Sequence, residues 1–124
     1  MGLVITARRM IVEVRTYVTK PGLRARFLDF FRQEAVPLQR SLGIGIAGPF
    51  VDVVNPDVFV WLRSFPSATD RDRMKAALYE GAKWKDELEE IAMPMLERYE
   101  VTVADVPDWF VDDIATTSDE TGWK

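Results

Sequence analysis

The chain contains no cysteine and no histidine. Without cysteine there are no disulfides, thiolate nucleophiles, iron–sulfur clusters or cysteine zinc sites, and nothing points to an oxidising compartment. Without histidine, the commonest metal ligand and the side chain that ordinarily titrates near neutral pH are both missing. A Ser-His-Asp triad, a proximal-histidine haem and a histidine zinc site are therefore excluded. Oxygen-only metal sites stay open in principle, but no Asp/Glu run has calcium-loop spacing, so no metal and no cofactor is expected. Basic charge is also scarce. Sixteen Lys and Arg against 20 Asp and Glu leave a net charge of -4, with no broad positive field for phosphates, so neither nucleic acid nor an anionic membrane is an expected partner. No apolar run approaches the roughly 18 residues of a membrane helix. The opening "MGLVITARRM" carries its basic residues after its short apolar stretch, unlike a secretory leader. A cytoplasmic location is the expectation.

What remains is an ordinary globular composition: 124 residues, 48% hydrophobic and 29% charged, enough for one modest core. Residues 10–19 alternate with period two and are rich in β-branched side chains, which predicts a strand. Val12, Val14 and Val18 look like its buried face, and Glu13, Arg15 and Tyr17 share the other. After Pro21-Gly22 the period becomes helical, with Phe27, Phe31, Ala35, Leu38 and Leu42 on one side and a bend or break expected near Pro37. Gly43 and Gly45 stop the helix. Residues 46–54 read as a strand interrupted at Gly48-Pro49, Asn55-Pro56-Asp57 as a turn, and 58–65 as a third strand.

Ser67, with Asp70 three residues on, predicts a helix start. Met74, Ala77 and Leu78 form that helix's apolar side, Gly81 interrupts it, and Trp84, Leu88, Ile91 and Met95 resume the spacing. Residues 98–105 read as a fourth strand. The order βαββαβ is the ferredoxin-like pattern, an α+β fold with a four-stranded antiparallel sheet. Residues 1–9 form an N-terminal extension and 10–105 the domain. Residues 106–124 are an acidic tail whose Trp109, Phe110, Val111 and Ile114 suit docking on the domain or on a partner as well as they suit plain disorder.

The motif Glu13-x-Arg15-Thr16-Tyr17, followed by Lys20-Pro21-Gly22, resembles the first strand and turn of the NIPSNAP family. "FVWLRSF" is similar to its aromatic and basic third strand, and "ATDRDRMKAAL" followed by Trp84 is similar to its second helix and downstream tryptophan. The resemblance runs over residues 10–103 and implies a dimeric α/β barrel, in which the sheets of two subunits face each other. Relatives of that barrel include cofactor-free monooxygenases, decarboxylating or cyclising enzymes of specialised metabolism, haem-degrading proteins and proteins without known activity. The missing histidine departs from the haem-binding branch.

Alternation places Ile11, Glu13, Arg15, Tyr17 and Thr19 on one face of the first strand and Asp57, Phe59, Trp61, Arg63 and Phe65 on one face of the third. If these faces match, they form a wall suited to an anionic or phenolic ligand. Arg15 or Arg63 would hold a carboxylate or enolate, Tyr17 would donate a hydrogen bond, and Glu13 would act as general base if burial raised its pKa. Phe27, Phe30, Phe31 and Trp84 are candidates to line an adjoining cavity with Trp61, or are simply core. Arg71 and Arg73, near a helix start, call for acidic partners such as Asp70 and Asp72. Asp52 is a possible second acid or an edge-strand charge.

Two functions fit. One is a small cofactor-independent enzyme acting on an aromatic or polyketide-like metabolite by proton transfer, cyclisation or oxygenation, with Tyr17, Arg15, Glu13 and Arg63 catalytic and Trp61, Phe27, Phe31 and Trp84 binding substrate. The other is a non-catalytic homodimer that binds a small molecule or a protein. In the second case the polar face would serve as intersubunit ion pairs inside the barrel.

Overall fold

The computed structural model describes residues 10–107; the apolar tail residues Trp109, Phe110, Val111 and Ile114 lie outside that range. Strand β1 spans Ile11–Thr19, β2 Gly45–Val51, β3 Val58–Phe65 and β4 Leu96–Asp105. They form one antiparallel sheet in the order β2-β3-β1-β4. The β-branched runs pair centrally, and the shorter, Gly-Pro-interrupted β2 takes an edge, where a missing N–H costs least. The β2–β3 register slips between Ala47 and Phe50. Gly48 sits there with φ 102°, and a Cβ on it would meet the Trp61 backbone at 3.3 Å. That conformation and that approach both require glycine.

The first helical segment runs as α1 (Arg24–Phe30), a wide π-type turn (Phe31–Ala35) and α2 (Val36–Ser41). The expected break at Pro37 is thus an accommodation. Pro37 has no N–H to give to the preceding turn, and the chain widens just ahead of it while staying helical. Helix α3 (Ala68–Tyr79) starts as expected: the Ser67 hydroxyl accepts from the Asp70 N–H at 3.1 Å. After Gly81 come a second wide turn (Lys83–Leu88), α4 (Glu89–Ala92) and a short 3₁₀ turn (Met93–Met95) leading into β4.

The helices cover one face of the sheet. Phe27, Phe30, Phe31, Ala35, Leu88, Ala92 and Met95 pack against Tyr17, Phe59 and Trp61, and a smaller cluster joins Ile44, Phe65, Met74 and Leu78. This reverses the expected orientation of β1. Glu13, Arg15, Tyr17 and Thr19 lie under the helices and are buried, while Val12, Val14 and Val18 lie on the opposite face and are only partly covered. The polar face of β1 therefore does not line the interior of a two-subunit barrel; it is the floor of this chain's own core. The physical reason is charge pairing, since Glu13 meets enough cations to be buried without an unpaired charge. No described helix is long and apolar enough to cross a membrane.

Candidate functional site

The predicted faces of β1 and β3 match. Glu13 stands opposite Arg63, Arg15 opposite Trp61 and Tyr17 opposite Phe59. Because β1 and β3 are the central strands, these side chains meet beneath the helices and away from water.

Glu13 is fully buried and holds the group together. Its Oε1 accepts from Arg63 Nε at 2.7 Å and from Arg15 Nη1, and its Oε2 accepts from Arg71 Nε at 2.7 Å. Lys75 Nζ stands 3.7 Å away. Burial alone would raise the Glu13 pKa. The charge of Arg63, hydrogen bonds from Arg71 and Arg63 and the charge of Arg15 outweigh it and bring the carboxyl down to about 2. The condition set for a general base is not met: Glu13 is an anionic clamp for arginines. Lys75, from the turn of α3 after Arg71, has its pKa lowered by burial first; Glu13 opposes this, and the neighbouring Arg71, Arg63 and Arg15 add to it.

The clamp fixes Arg63 rigidly. Its Nη1 donates to Gln39 Oε1 at 2.8 Å, and the Gln39 amide donates in turn to the Ala35 carbonyl at 3.2 Å, which settles the amide's orientation. The guanidinium carbon lies 5.6–5.7 Å from the ring centres of Trp61, Phe65 and Tyr79. Arg15 lies 5.5 Å from the rings of Trp61 and Tyr99 and donates through Nε to the Tyr17 hydroxyl at 3.3 Å. Burial raises the Tyr17 pKa, and the charge and hydrogen bond of Arg15 pull the other way without cancelling it. Tyr17 is a neutral phenol whose oxygen accepts from Arg15, leaving its own proton to give.

Above this wall is a cavity of about 110 Å³ between sheet and helices. Arg15, Tyr17, Trp61 and Arg63 form its floor; Phe27, Phe31 and Trp84 form its sides. The Phe31 ring stands 4.8 Å from that of Trp61, edge to face. Every residue given a catalytic or substrate-binding role in the sequence lines the cavity except Glu13, which lies behind its floor. Gln39, Tyr79 and Tyr99 also line it. Gln39 carried a signal, since it follows Ala35 by four residues on the apolar side of its helix. Tyr99 carried none.

Other expected roles change. Arg71 pairs with buried Glu13 rather than with a neighbouring aspartate of its own helix, whereas Arg73 does bond Asp70, at 2.8 Å. Asp52 caps the β2–β3 turn through the Val54 and Asn55 N–H groups, at 2.7 and 2.9 Å, and these bonds, Asn55 first, lower its pKa. Asp57 accepts from the Gly22 N–H at 3.0 Å and so ties the β1–α1 turn to the hairpin. Among the described residues, no group of three or more Asp and Glu could hold a metal ion.

The chain resembles solved structures over most of its length. An uncharacterized NIPSNAP-like domain protein from Burkholderia xenovorans is 27% identical, with TM-score 0.72, over 83% of this chain and 89% of that one. A NIPSNAP family protein of unknown function from Agrobacterium tumefaciens is 28% identical, with TM-score 0.69, over 80% and 89%. A candidate antibiotic biosynthesis monooxygenase from Caulobacter crescentus is similar in fold alone, at 15% identity and TM-score 0.65 over 84% and 95%. No curated protein matches. The NIPSNAP family model matches residues 12–107, the span that holds both the sheet and the cavity, and the chain belongs to the NIPSNAP family.

Proposed function

We propose that this chain is a small cytoplasmic enzyme of specialised metabolism that binds an aromatic or polyketide-like molecule in the cavity and acts on it without a cofactor. The observation that carries this reading is the pairing of an aromatic cavity with a floor of pinned donors. Aromatic sides select a planar ligand. Arg15 and the Tyr17 hydroxyl are placed to stabilise an oxygen that gains negative charge, as an enolising ketone or an ionising phenol does. A stabilised enolate is the common starting point for proton transfer, cyclisation and reaction with dioxygen. Glu13, ionised and fully engaged, is assigned no proton transfer; in this reading the substrate's proton is taken by solvent water or hydroxide reaching the cavity past half-exposed Tyr99.

The working unit in this reading is a homodimer. One sheet face is covered by helices, and the other presents Val12, Val14, Val18, Val58, Val60 and Leu62, with Phe50 55% exposed. A second copy laid sheet to sheet would cover this face. The test is turnover of enolisable aromatic ketones and phenols by wild type and Tyr17→Phe, with sedimentation velocity on both. The reading expects dimers in each case and turnover lowered about 100- to 1,000-fold in the variant. Equal turnover would remove Tyr17 from the chemistry, and no turnover by wild type would leave a binding protein.

A further inference from the structure

Among the described residues, two buried donors have no hydrogen-bond partner: Trp61 Nε1 and Arg63 Nη2. Both residues are at least 98% buried, at 2% and 1% exposure. An unpaired buried donor costs on the order of 1–3 kcal/mol, more when charged, so such groups are rare unless something else satisfies them. Both residues line the cavity, and the Arg63 guanidinium carbon lies 5.6 Å from the Trp61 ring centre, so the two residues adjoin in its floor. Neither side chain is free to turn away. Arg63 is held at Nε by Glu13 and at Nη1 by Gln39, and Trp61 packs edge to face on Phe31.

Resting on the reading of the cavity as a ligand site, we infer that its floor is a carboxylate subsite, occupied by a planar, conjugated acid whose two oxygens accept from Arg63 Nη2 and Trp61 Nε1. Two fixed donors on adjoining residues suit a two-oxygen acceptor better than a single oxygen. The charge has the right sign, because the single charge of Glu13 can neutralise only one of the four cations it meets. Size limits the acid's head: a dry cavity of about 150 Å³ admits benzene, so a cavity of 110 Å³ encloses the carboxylate and at most part of one ring. Any longer body extends past Tyr99 and Met93, which are 48% and 44% exposed.

The test is calorimetric titration of the full chain with benzoate and cinnamate, with their neutral primary amides and methyl esters, and with ionised nitrophenol. The subsite requires the carboxylates to bind at least about tenfold more tightly than the neutral isosteres, from the strength of hydrogen bonds to charged groups. Trp61→Phe, which keeps one six-membered aromatic ring but deletes the unpaired N–H with the pyrrole half of the indole, should weaken the carboxylates about fivefold or more beyond any loss the esters show. Esters or amides binding as well as the acids would overturn the carboxylate subsite and keep the cavity as a ligand site. Phenolate binding without carboxylate binding would overturn the two-oxygen assignment in favour of one oxygen. If no compound binds in the millimolar range, both the subsite and the cavity reading fall.

Discussion

The Glu13 carboxylate and the Arg63 guanidinium, 50 residues apart in sequence, meet at 2.7 Å between directly paired positions of the two central strands. Both are fully buried, and each also binds a helix: Glu13 through Arg71 of α3, Arg63 through Gln39 of α2. This pair ties the sheet to both helical segments above it and shapes the cavity floor.

Removing the anion should therefore cost far more than an ordinary surface change. Glu13→Gln is expected to destabilise the fold by about 3–5 kcal/mol, because it leaves buried cations without a counter-charge. Urea unfolding measures it. A loss under about 1 kcal/mol, the range of an exposed pair, would show that the cluster is solvated.

Acid should act through the same group. The Glu13 pKa is depressed from 4.5 to about 2 in the fold. Its contribution is complete above the unfolded value and is lost as pH falls from about 4.5 towards 2. Melting temperatures taken across that window should fall more steeply in wild type than in Glu13→Gln. Parallel curves would place the acid sensitivity elsewhere.

Gln39→Leu tests how Arg63 is aimed. It leaves Arg63 Nη1 without an acceptor, which should cost about 1–3 kcal/mol and weaken carboxylate binding more than the binding of neutral esters. Equal losses for acids and esters would mean that Gln39 only packs.

Leu62→Lys tests the assembly. Leu62 sits on the helix-free face of β3, opposite Val14, so a charge there should separate sheet-to-sheet dimers while leaving the circular dichroism spectrum intact. A variant that stays dimeric in sedimentation velocity would exclude that arrangement.

Much of this was legible in the sequence because local signals agreed with tertiary demands. The alternation of β1 and β3 fixed which side chains share a face, Ser67 marked the start of α3, and Gly48-Pro49 marked an irregular edge strand. The period of two cannot say which face goes inward. Val12, Val14 and Val18 looked like core, and only the convergence of Arg15, Arg63, Arg71 and Lys75 on Glu13 makes the charged face the buried one. Those partners come from β1, β3 and α3, and no local pattern joins them. Tyr99 was silent for a similar reason: it reaches the cavity through the pairing of β4 with β1 opposite Tyr17.

The central claim is that the aromatic cavity above Tyr17 and Arg63 holds a small molecule. Native mass spectrometry of the untagged protein, alongside an Ala35→Leu variant that fills the cavity with its own side chain, tests it most directly. The account expects a wild-type dimer carrying one small molecule per chain, released on denaturation, and a variant dimer that is bare. A variant that retains the same molecule, or a wild type that never carries one, would contradict it.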